Sequence, residues 1–553
     1  MPLTEKHKTI LEEAHKANRS RAFHAAYPEH PKAYDKEKAE AGKEAFDLQW
    51  HKPFDRLLQS GETKRVGEEV SPYTLEPLGI TYPYFHTTAL IDNAEATIPA
   101  WRDALSEERA EVLVDSLERI SQNFFEIGYA TQHTTGQSFM MSFQASGPHA
   151  NDRGLEAVSM AYDELNRFAD EVRWEKPMGK TTLRMKKTFK AVPKGISLVV
   201  GCSTFPVWNS MAAIYSSLMT GNPVIVKPHA QAVYPIALVV AEIQKTLEAQ
   251  GYNPLTIQLA PDTLDEPITR ALVEHDAVQL IDYTGGSHFG DYIEQVPGKT
   301  TFTEKSGVNS ILMHSCEDLK AVCDNIASSV SLYSGQMCTA PQNIFIPEEG
   351  IQVGERIAPY EEVVAQLKAS MSGLAHHPKM GPGMLGAINQ KATLERIESA
   401  KALGGEILLD SEQIEQPDFP NARTYSPAMI QFTGADKQHF ARELFGPVVL
   451  VVRTTAFDES LRLAAELARE EGAITCSAYC TDEEVKRQIA ETMERSFAPV
   501  SFNMLGMAMV NQNAAFSDFH LTGGNPAGNA SFTSPAYIIN RFVWVGHKEV
   551  INE

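Results

Sequence analysis

The chain reads as an α/β protein made of a doubly wound unit and a second α/β unit, and three observations point that way. Strand-like and helix-like stretches alternate from about residue 196 to 283, a pattern that argues for a parallel sheet covered on both faces. A second alternating series begins near residue 309 and runs to about 503. At 553 residues the chain is also too long for one ordinary core, so two or three domains are expected.

Residues 1–75 read as a polar, helical N-terminal extension packed on the main body, rich in Ala, Glu and Lys until Pro72 and Pro77 interrupt the pattern. Residues 76–303 form the first unit. Its strand at 196–200 leads into a helix at 207–220, with Val207, Met211, Ile214, Tyr215 and Leu218 at the spacing of one apolar helix face. A strand at 224–226 follows, then a helix at 234–249 with Pro235 suited to its first turn and Gly251 just past its end. A strand at 257–260, a helix at 266–274 and a strand at 277–283 complete a Rossmann-like series. Residues 195–226 contain no charged residue and no histidine, long enough to raise the question of a membrane span. Gly201, Pro206, Asn209 and Gly221-Asn222-Pro223 divide the stretch into strand, turn, helix, turn and strand, so a buried βαβ unit explains it better.

Residues 304–503 form the second unit, with strands expected at 309–313, 343–346, 447–452, 474–479 and 500–503. Helices are expected at 317–331, 360–371, 459–470 and 482–495. Two further strand-like stretches, 181–190 and 537–545, belong to neither series, the second lying in a C-terminal return over 504–553.

The composition, 43% hydrophobic and 22% charged, is that of an ordinary soluble globular protein. A formal charge of −22 disfavours nucleic acid and anionic membrane as partners, since both would repel an acidic surface. Six scattered cysteines are too few for a disulfide framework in so long a chain. With a charged N-terminus lacking the apolar core of a signal peptide, they point to a reducing cytoplasm. Cys476 and Cys480 sit in a strand pattern and read as packing residues, and His376-His377 as a loop, so no metal site is expected.

The chemistry-bearing residues begin with Ser334-Gly335-Gln336-Met337-Cys338-Thr339. Glu304 precedes Cys338 by 34 positions, and Glu443, in Arg442-Glu443-Leu444-Phe445-Gly446-Pro447, follows it by 105. A thiol among small residues near a helix start is expected to have its thiolate favoured by backbone N–H groups. Thr284-Gly285-Gly286-Ser287-His288-Phe289-Gly290 follows a strand and opens a helix, where N–H groups can meet a pyrophosphate, although no Gly-x-Gly-x-x-Gly fingerprint is present.

Together these segments resemble the aldehyde dehydrogenase superfamily. The resemblance implies that Cys338 is the nucleophile, that Glu304 activates the hydrolytic water, and that Glu443 and Phe445 hold the nicotinamide ribose and ring. Thr284, Gly285 and Gly286 resemble the family's Thr-Gly-Ser-x-x-x-Gly turn, with Gly286 in place of the serine. Gly221-Asn222-Pro223-Val224-Ile225-Val226-Lys227-Pro228 resembles the element whose lysine reaches the adenosine ribose. Ala230 stands where many NAD-preferring members carry a glutamate; with Lys227 and His229 as donors, NADP is expected over NAD. Thr204, in Ser203-Thr204-Phe205-Pro206, replaces the family's oxyanion-binding asparagine. Lys305 follows Glu304 where the family has leucine, and is expected either to lower the pKa of Glu304 or to face solvent.

The same resemblance implies a small bridging sheet from 181–190 and 537–545, and hence at least a homodimer. The long N-terminal extension and the run from Phe516 to Asn529 resemble the PaaN-type phenylacetic acid degradation proteins, which implies an aldehyde substrate carried on a coenzyme A thioester. Two alternatives stay open: an acylating enzyme that passes the acyl group to coenzyme A, and a non-catalytic interaction module.

Overall fold

The computed structural model describes residues 3–506, 508, 515–516 and 520–551. Five parallel strands make the first sheet, in the order Ile257–Leu259, Val224–Lys227, Ile196–Val200, Val278–Thr284, Thr300–Glu304. The chain winds outward from Ile196–Val200 in one direction and then in the other, so the topology reverses beside this central strand. Crevices at the carboxyl ends of strands form at such a reversal. The helices Trp208–Met219 and Tyr234–Ala249 fall where the apolar spacing places them, and most of their residues are buried. That explains why the uncharged stretch 195–226 is interior rather than membrane-spanning. Among the described residues, no helix is long and apolar enough to cross a membrane.

The second sheet has seven strands, in the order Glu406–Leu409, Ala428–Thr433, Val448–Thr454, Asn343–Pro347, Ser310–Met313, Cys476–Tyr479, Val500–Phe502. All neighbours pair in parallel except the first, an antiparallel edge strand. The alternating pattern did not anticipate the two strands at that edge. Glu406–Leu409 is half exposed and short, without the continuous apolar run that marks a buried strand.

A third sheet of three antiparallel strands joins Phe542–Val550, Thr181–Pro193 and Glu171–Met178. It pairs the two orphan stretches as the resemblance implies, with two corrections. The strand-like reading of 537–545 starts too early, because Pro535–Ile539 is a short helix with Pro535 in its first turn and the Ser534 hydroxyl accepting from the Ala536 N–H. The strand Glu171–Met178 was not foreseen, being exposed along most of its length and rich in charge.

The N-terminal extension holds two helices, Glu5–Ser20 and Lys36–Gln49, followed by extended chain. Leu11, Ala14, Ala17, Phe46 and Phe54 are buried in the same apolar cluster as Phe124 and Tyr234. This segment is thus part of the main core and not a tail. The C-terminal return is anchored similarly, by a buried ion pair from Arg541 to Asp282.

Candidate active site

Three segments end at the carboxyl edge of the first sheet, and each brings a side chain that the sequence singles out. Glu304 is the last residue of its strand, Thr284 the last of the neighbouring one, and 201–206 is the loop that leaves the central strand. Facing them is the loop between the short turn Leu332–Gly335 and the strand Asn343–Pro347 of the second sheet, which carries Cys338. The two sheets enclose a cavity of about 330 Å³ lined by Thr204, Thr284, Glu304, Cys338, Glu443 and Phe445, among others. The sulfur and both glutamates, far apart in sequence, therefore share one crevice. Gly285 and Gly286 also border it.

The backbone leading to Cys338 is held in an unusual conformation. Tyr333, Ser334 and Gly335 all have left-handed dihedrals, with φ of 52°, 50° and 64°, costly for the first two and kept only when the surroundings over-determine them. They do: the Tyr333 hydroxyl donates to the Thr135 carbonyl (2.5 Å) and the Ser334 hydroxyl to that of Leu385 (2.9 Å). At Gly335 a Cβ would lie 2.4 Å from the Gly446 carbonyl oxygen. Downstream, Asn309 Nδ2 donates to the Cys338 carbonyl (2.8 Å) and to that of Ala340 (3.1 Å). The nucleophile candidate is thus clamped from both sides.

The surroundings of the thiol differ from the expectation. Cys338 lies in a loop and not at a helix start, and burial together with the nearby Glu304 carboxylate pushes its thiol well above the ordinary range. No helix start is there to favour the thiolate. His520 Nε2 lies 3.2 Å from Cys338 Sγ and 3.2 Å from Glu304 Oε1. Its ring meets the Trp208 indole edge-on, with centroids 4.9 Å apart. For Glu304, burial acts to raise the pKa. The charge and hydrogen bond that His520 supplies once protonated, the thiol and the charge of Arg153 outweigh burial and hold the carboxyl below its ordinary value. Lys305 takes no part in this: it is buried and paired with Asp291 (2.7 Å) and Glu294 (3.0 Å), so it neither tunes Glu304 nor faces solvent.

Thr204 lines the cavity, but its hydroxyl donates to Cys202 Sγ (3.8 Å) in place of pointing toward an oxyanion at Cys338. Asn209, on the next helix, presents an amide that donates to both oxygens of Glu304 at 3.3 Å. Arg153 packs behind the site, its guanidinium between the Trp208 and Phe532 rings at 3.6 and 3.4 Å.

On the cofactor side, Gly286 caps the helix Ser287–Glu294, and a Cβ built on it would meet nothing within 4 Å. The helix N-terminus is open to a phosphate there. Glu443 accepts from the Ser306 hydroxyl and the Gly307 N–H, although burial raises its pKa. The Phe445 carbonyl accepts from Arg396. Lys227 and His229 do not line this cavity. Lys227 is buried and pairs with Asp262 at 2.6 Å. Burial and the charge of Lys227 bring His229 down to about 4, so it is neutral near pH 7. The two donors counted toward a 2′-phosphate are thus one neutralised cation and one uncharged ring.

A family sequence profile matches residues 60–525, and its description is the aldehyde dehydrogenase family. The chain belongs to the aldehyde dehydrogenase family. An NAD-dependent aldehyde dehydrogenase from Burkholderia multivorans is 40% identical, with each chain covered over 100% of its length and a TM-score of 0.97. An alpha-ketoglutaric semialdehyde dehydrogenase from Bacillus subtilis (strain 168) is 25% identical over 373 residues, which is 66% of this chain and 72% of that one. A 1-pyrroline-5-carboxylate dehydrogenase from Thermus with bound NAD shares the fold, at 17% identity and a TM-score of 0.75 over 96% of this chain and 99% of that one. As an aldehyde dehydrogenase the chain is an oxidoreductase, with the α/β fold expected from its sequence.

The family's motifs in the sequence did not point to His520, Asn209, Cys202 or Arg153. His520 stands in the glycine-rich run Phe516 to Asn529; Ser517, Asp518 and Phe519 of that run lie outside the described residues. Its one signal was a histidine just before the glycines of that run, with nothing to say which cavity it enters.

Proposed function

We propose that this aldehyde dehydrogenase oxidises an aldehyde to the carboxylic acid through covalent attachment to Cys338. The observation that carries the reading is the convergence of Cys338, Glu304 and Glu443 on one cavity beside an open helix N-terminus. The Cys338 sulfur adds to the aldehyde carbon and gives a thiohemiacetal. Glu443 and Phe445 would hold the nicotinamide end of the cofactor, and Thr284, Gly285 and Gly286 its pyrophosphate; when bound, the nicotinamide supplies the hydride acceptor. Glu304, kept ionised by its neighbours, takes a proton from the water that hydrolyses the Cys338 thioester. For Thr204 to serve the oxyanion it turns about χ1, away from Cys202; the Asn209 amide is a second donor on the same wall.

The experiment is a pair of variants. Cys338→Ala should abolish turnover and retain cofactor binding by fluorescence titration, and full activity would remove the nucleophile assignment. Glu304→Gln should stall after one turnover, with a thioester adduct visible by intact mass.

For the substrate, we infer a semialdehyde carried on a coenzyme A thioester, in aerobic phenylacetate degradation in the cytoplasm. The long N-terminal extension and the run Phe516 to Asn529 support it, and the Bacillus subtilis relative is named for another semialdehyde. Screening free and coenzyme A-linked semialdehydes decides it, and product analysis with added thiol separates hydrolysis from acyl transfer to coenzyme A. Equal kcat/KM for a simple aliphatic aldehyde would count against a thioester substrate.

For the cofactor, the absence of a carboxylate at Ala230 supports NADP. A second reading, NAD, is favoured by the Asp262 carboxylate 2.6 Å from Lys227 and by the similarity to the Burkholderia multivorans enzyme, which is NAD-dependent. The ratio of kcat/KM for the two cofactors decides between them. The three-stranded sheet exposes Val172, Met178, Phe189, Val543, Val545 and Val550, which supports assembly into at least a homodimer, measurable by light scattering.

A further inference from the structure

We propose that His520 is the base that takes the proton from the Cys338 thiol, and that Glu304 holds the imidazolium so formed. This role rests on the reading of Cys338 as the nucleophile. Its geometric basis is that one nitrogen, Nε2, lies 3.2 Å from both the sulfur and the carboxylate oxygen.

The hydrogen-bond arithmetic of that arrangement favours one order of events. A neutral imidazole with its proton on Nδ1 presents a lone pair at Nε2, and the thiol donates to it. The S–H bond then breaks, the electron pair stays on sulfur, and an N–H bond forms at Nε2. That single new N–H faces two anions, the thiolate and the Glu304 carboxylate, and attracts both. The sulfur is free to attack the aldehyde carbon as the carbonyl π pair moves onto oxygen. No proton leaves the cluster, and no co-reactant is required.

A base is needed here because burial and the Glu304 charge oppose the thiolate, and the loop around Cys338 offers no helix end in compensation. The ring is held for the task, nearly buried at 8% side-chain exposure and packed edge-on against Trp208. The segment carrying it is fixed to the strand that carries Glu304: the Lys305 N–H donates to the Ala527 carbonyl (2.6 Å), and the Asn529 side chain accepts from the Thr303 N–H (2.8 Å). Charged and titratable groups around the pair are Glu304, Cys202, Glu443 and Arg153. Of these, Cys202 is half-buried and pushed up by desolvation, Glu443 is raised by desolvation and lies farther along the cavity, and Arg153 is cationic. Glu304, although in contact with the thiol, is held below its ordinary value and is the weaker base, which leaves His520 as the base at contact distance from the sulfur.

The test reads the thiol directly. The full-length protein without aldehyde is alkylated with iodoacetamide from pH 5 to 10, with the site verified by mass spectrometry and Cys338→Ala as the blank. The wild-type protein should react with a midpoint at least one pH unit below that of His520→Gln, and at least tenfold faster at pH 7. Glutamine keeps a donor near the Nε2 position but cannot take a proton, so a purely structural role predicts no change in this variant. If His520→Gln unfolds, His520→Asn is read instead, and the acid limb of kcat/KM gives a second measurement. Superimposed alkylation profiles in a folded His520 variant would overturn the inference while the nucleophile assignment stood. Full turnover by Cys338→Ala would remove the assignment itself.

Discussion

The Asn209 side-chain amide donates to both carboxylate oxygens of Glu304, at 3.3 Å each. The helix that supplies Asn209 and the strand that supplies Glu304 belong to the same unit, so the contact fixes which way the carboxylate faces the cavity. Replacing Asn209 by leucine removes a hydrogen bond to a charged group, worth about 1.5–3 kcal/mol. On that basis kcat should fall at least tenfold. Rapid-mixing kinetics should show a larger burst of reduced nicotinamide than the wild-type enzyme, because hydrolysis of the thioester becomes the slow step.

Arg541 and Asp282 form the buried ion pair that ties the C-terminal return to the first sheet, with N···O distances of 2.6 and 2.8 Å. Asp282 also accepts from the Tyr537 hydroxyl (2.7 Å), and Arg541 donates to the Ser217 hydroxyl (2.7 Å). Arg541→Met leaves a carboxylate buried without its cation and should destabilise the fold by about 3–5 kcal/mol. The double variant with Asp282→Leu should recover much of that loss. Urea unfolding of the two variants beside wild type measures both.

Gly528 touches the strand that ends in Glu304. A Cβ there would lie 2.2 Å from the Thr303 carbonyl oxygen and 2.6 Å from Leu521 Cδ2. Gly528→Ala therefore separates the segment bearing His520 from the strand bearing Glu304. The expected outcome is a loss of at least tenfold in kcat/KM with a modest fall in Tm, checked by steady-state assay and calorimetry. Unchanged activity would mean the segment accommodates a methyl group without moving the site.

Asp152 is buried, and burial lifts its carboxyl to about 8 despite hydrogen bonds from the Ala26 and Tyr27 backbone. One oxygen, Oδ2, has no partner among the described residues and can carry the proton. The folded protein thus keeps a proton that the unfolded chain releases near pH 4, so this group favours folding below its unfolded pKa and the contribution is lost as pH rises toward 8. The slope is at most about 1.4 kcal/mol per pH unit. Asp152→Asn should flatten the decline, seen as a smaller difference in urea midpoint between pH 5.5 and 8.5.

The local pattern carried most of the architecture. The helix Tyr234–Ala249 and the strand Ile196–Val200 are bounded where Pro235, Gly251 and the apolar runs place them, because backbone preferences and burial periodicity act over a few residues. Where burial is partial the pattern fails: Glu171–Met178 and Glu406–Leu409 are exposed or half exposed, and neither carries a clear strand signal. In the site, the sequence pointed to Cys338, Glu304 and Glu443 by their motifs. The ionisation of the thiol, the engagement of Lys305 with Asp291 and Glu294, and the neutralisation of Lys227 by Asp262 were not legible there. Each depends on a partner in another segment and on how much water is excluded.

By itself, then, the order of residues determined the two α/β units, the family and the choice of three side chains that meet in one cavity, since each is written in short-range spacing or a contiguous motif. Only the tertiary structure decided that His520 stands between Cys338 and Glu304, 182 and 216 positions away from them along the chain. Coulombic and hydrogen-bond energies depend on distance through space and on burial, and a linear string specifies neither until the chain has folded.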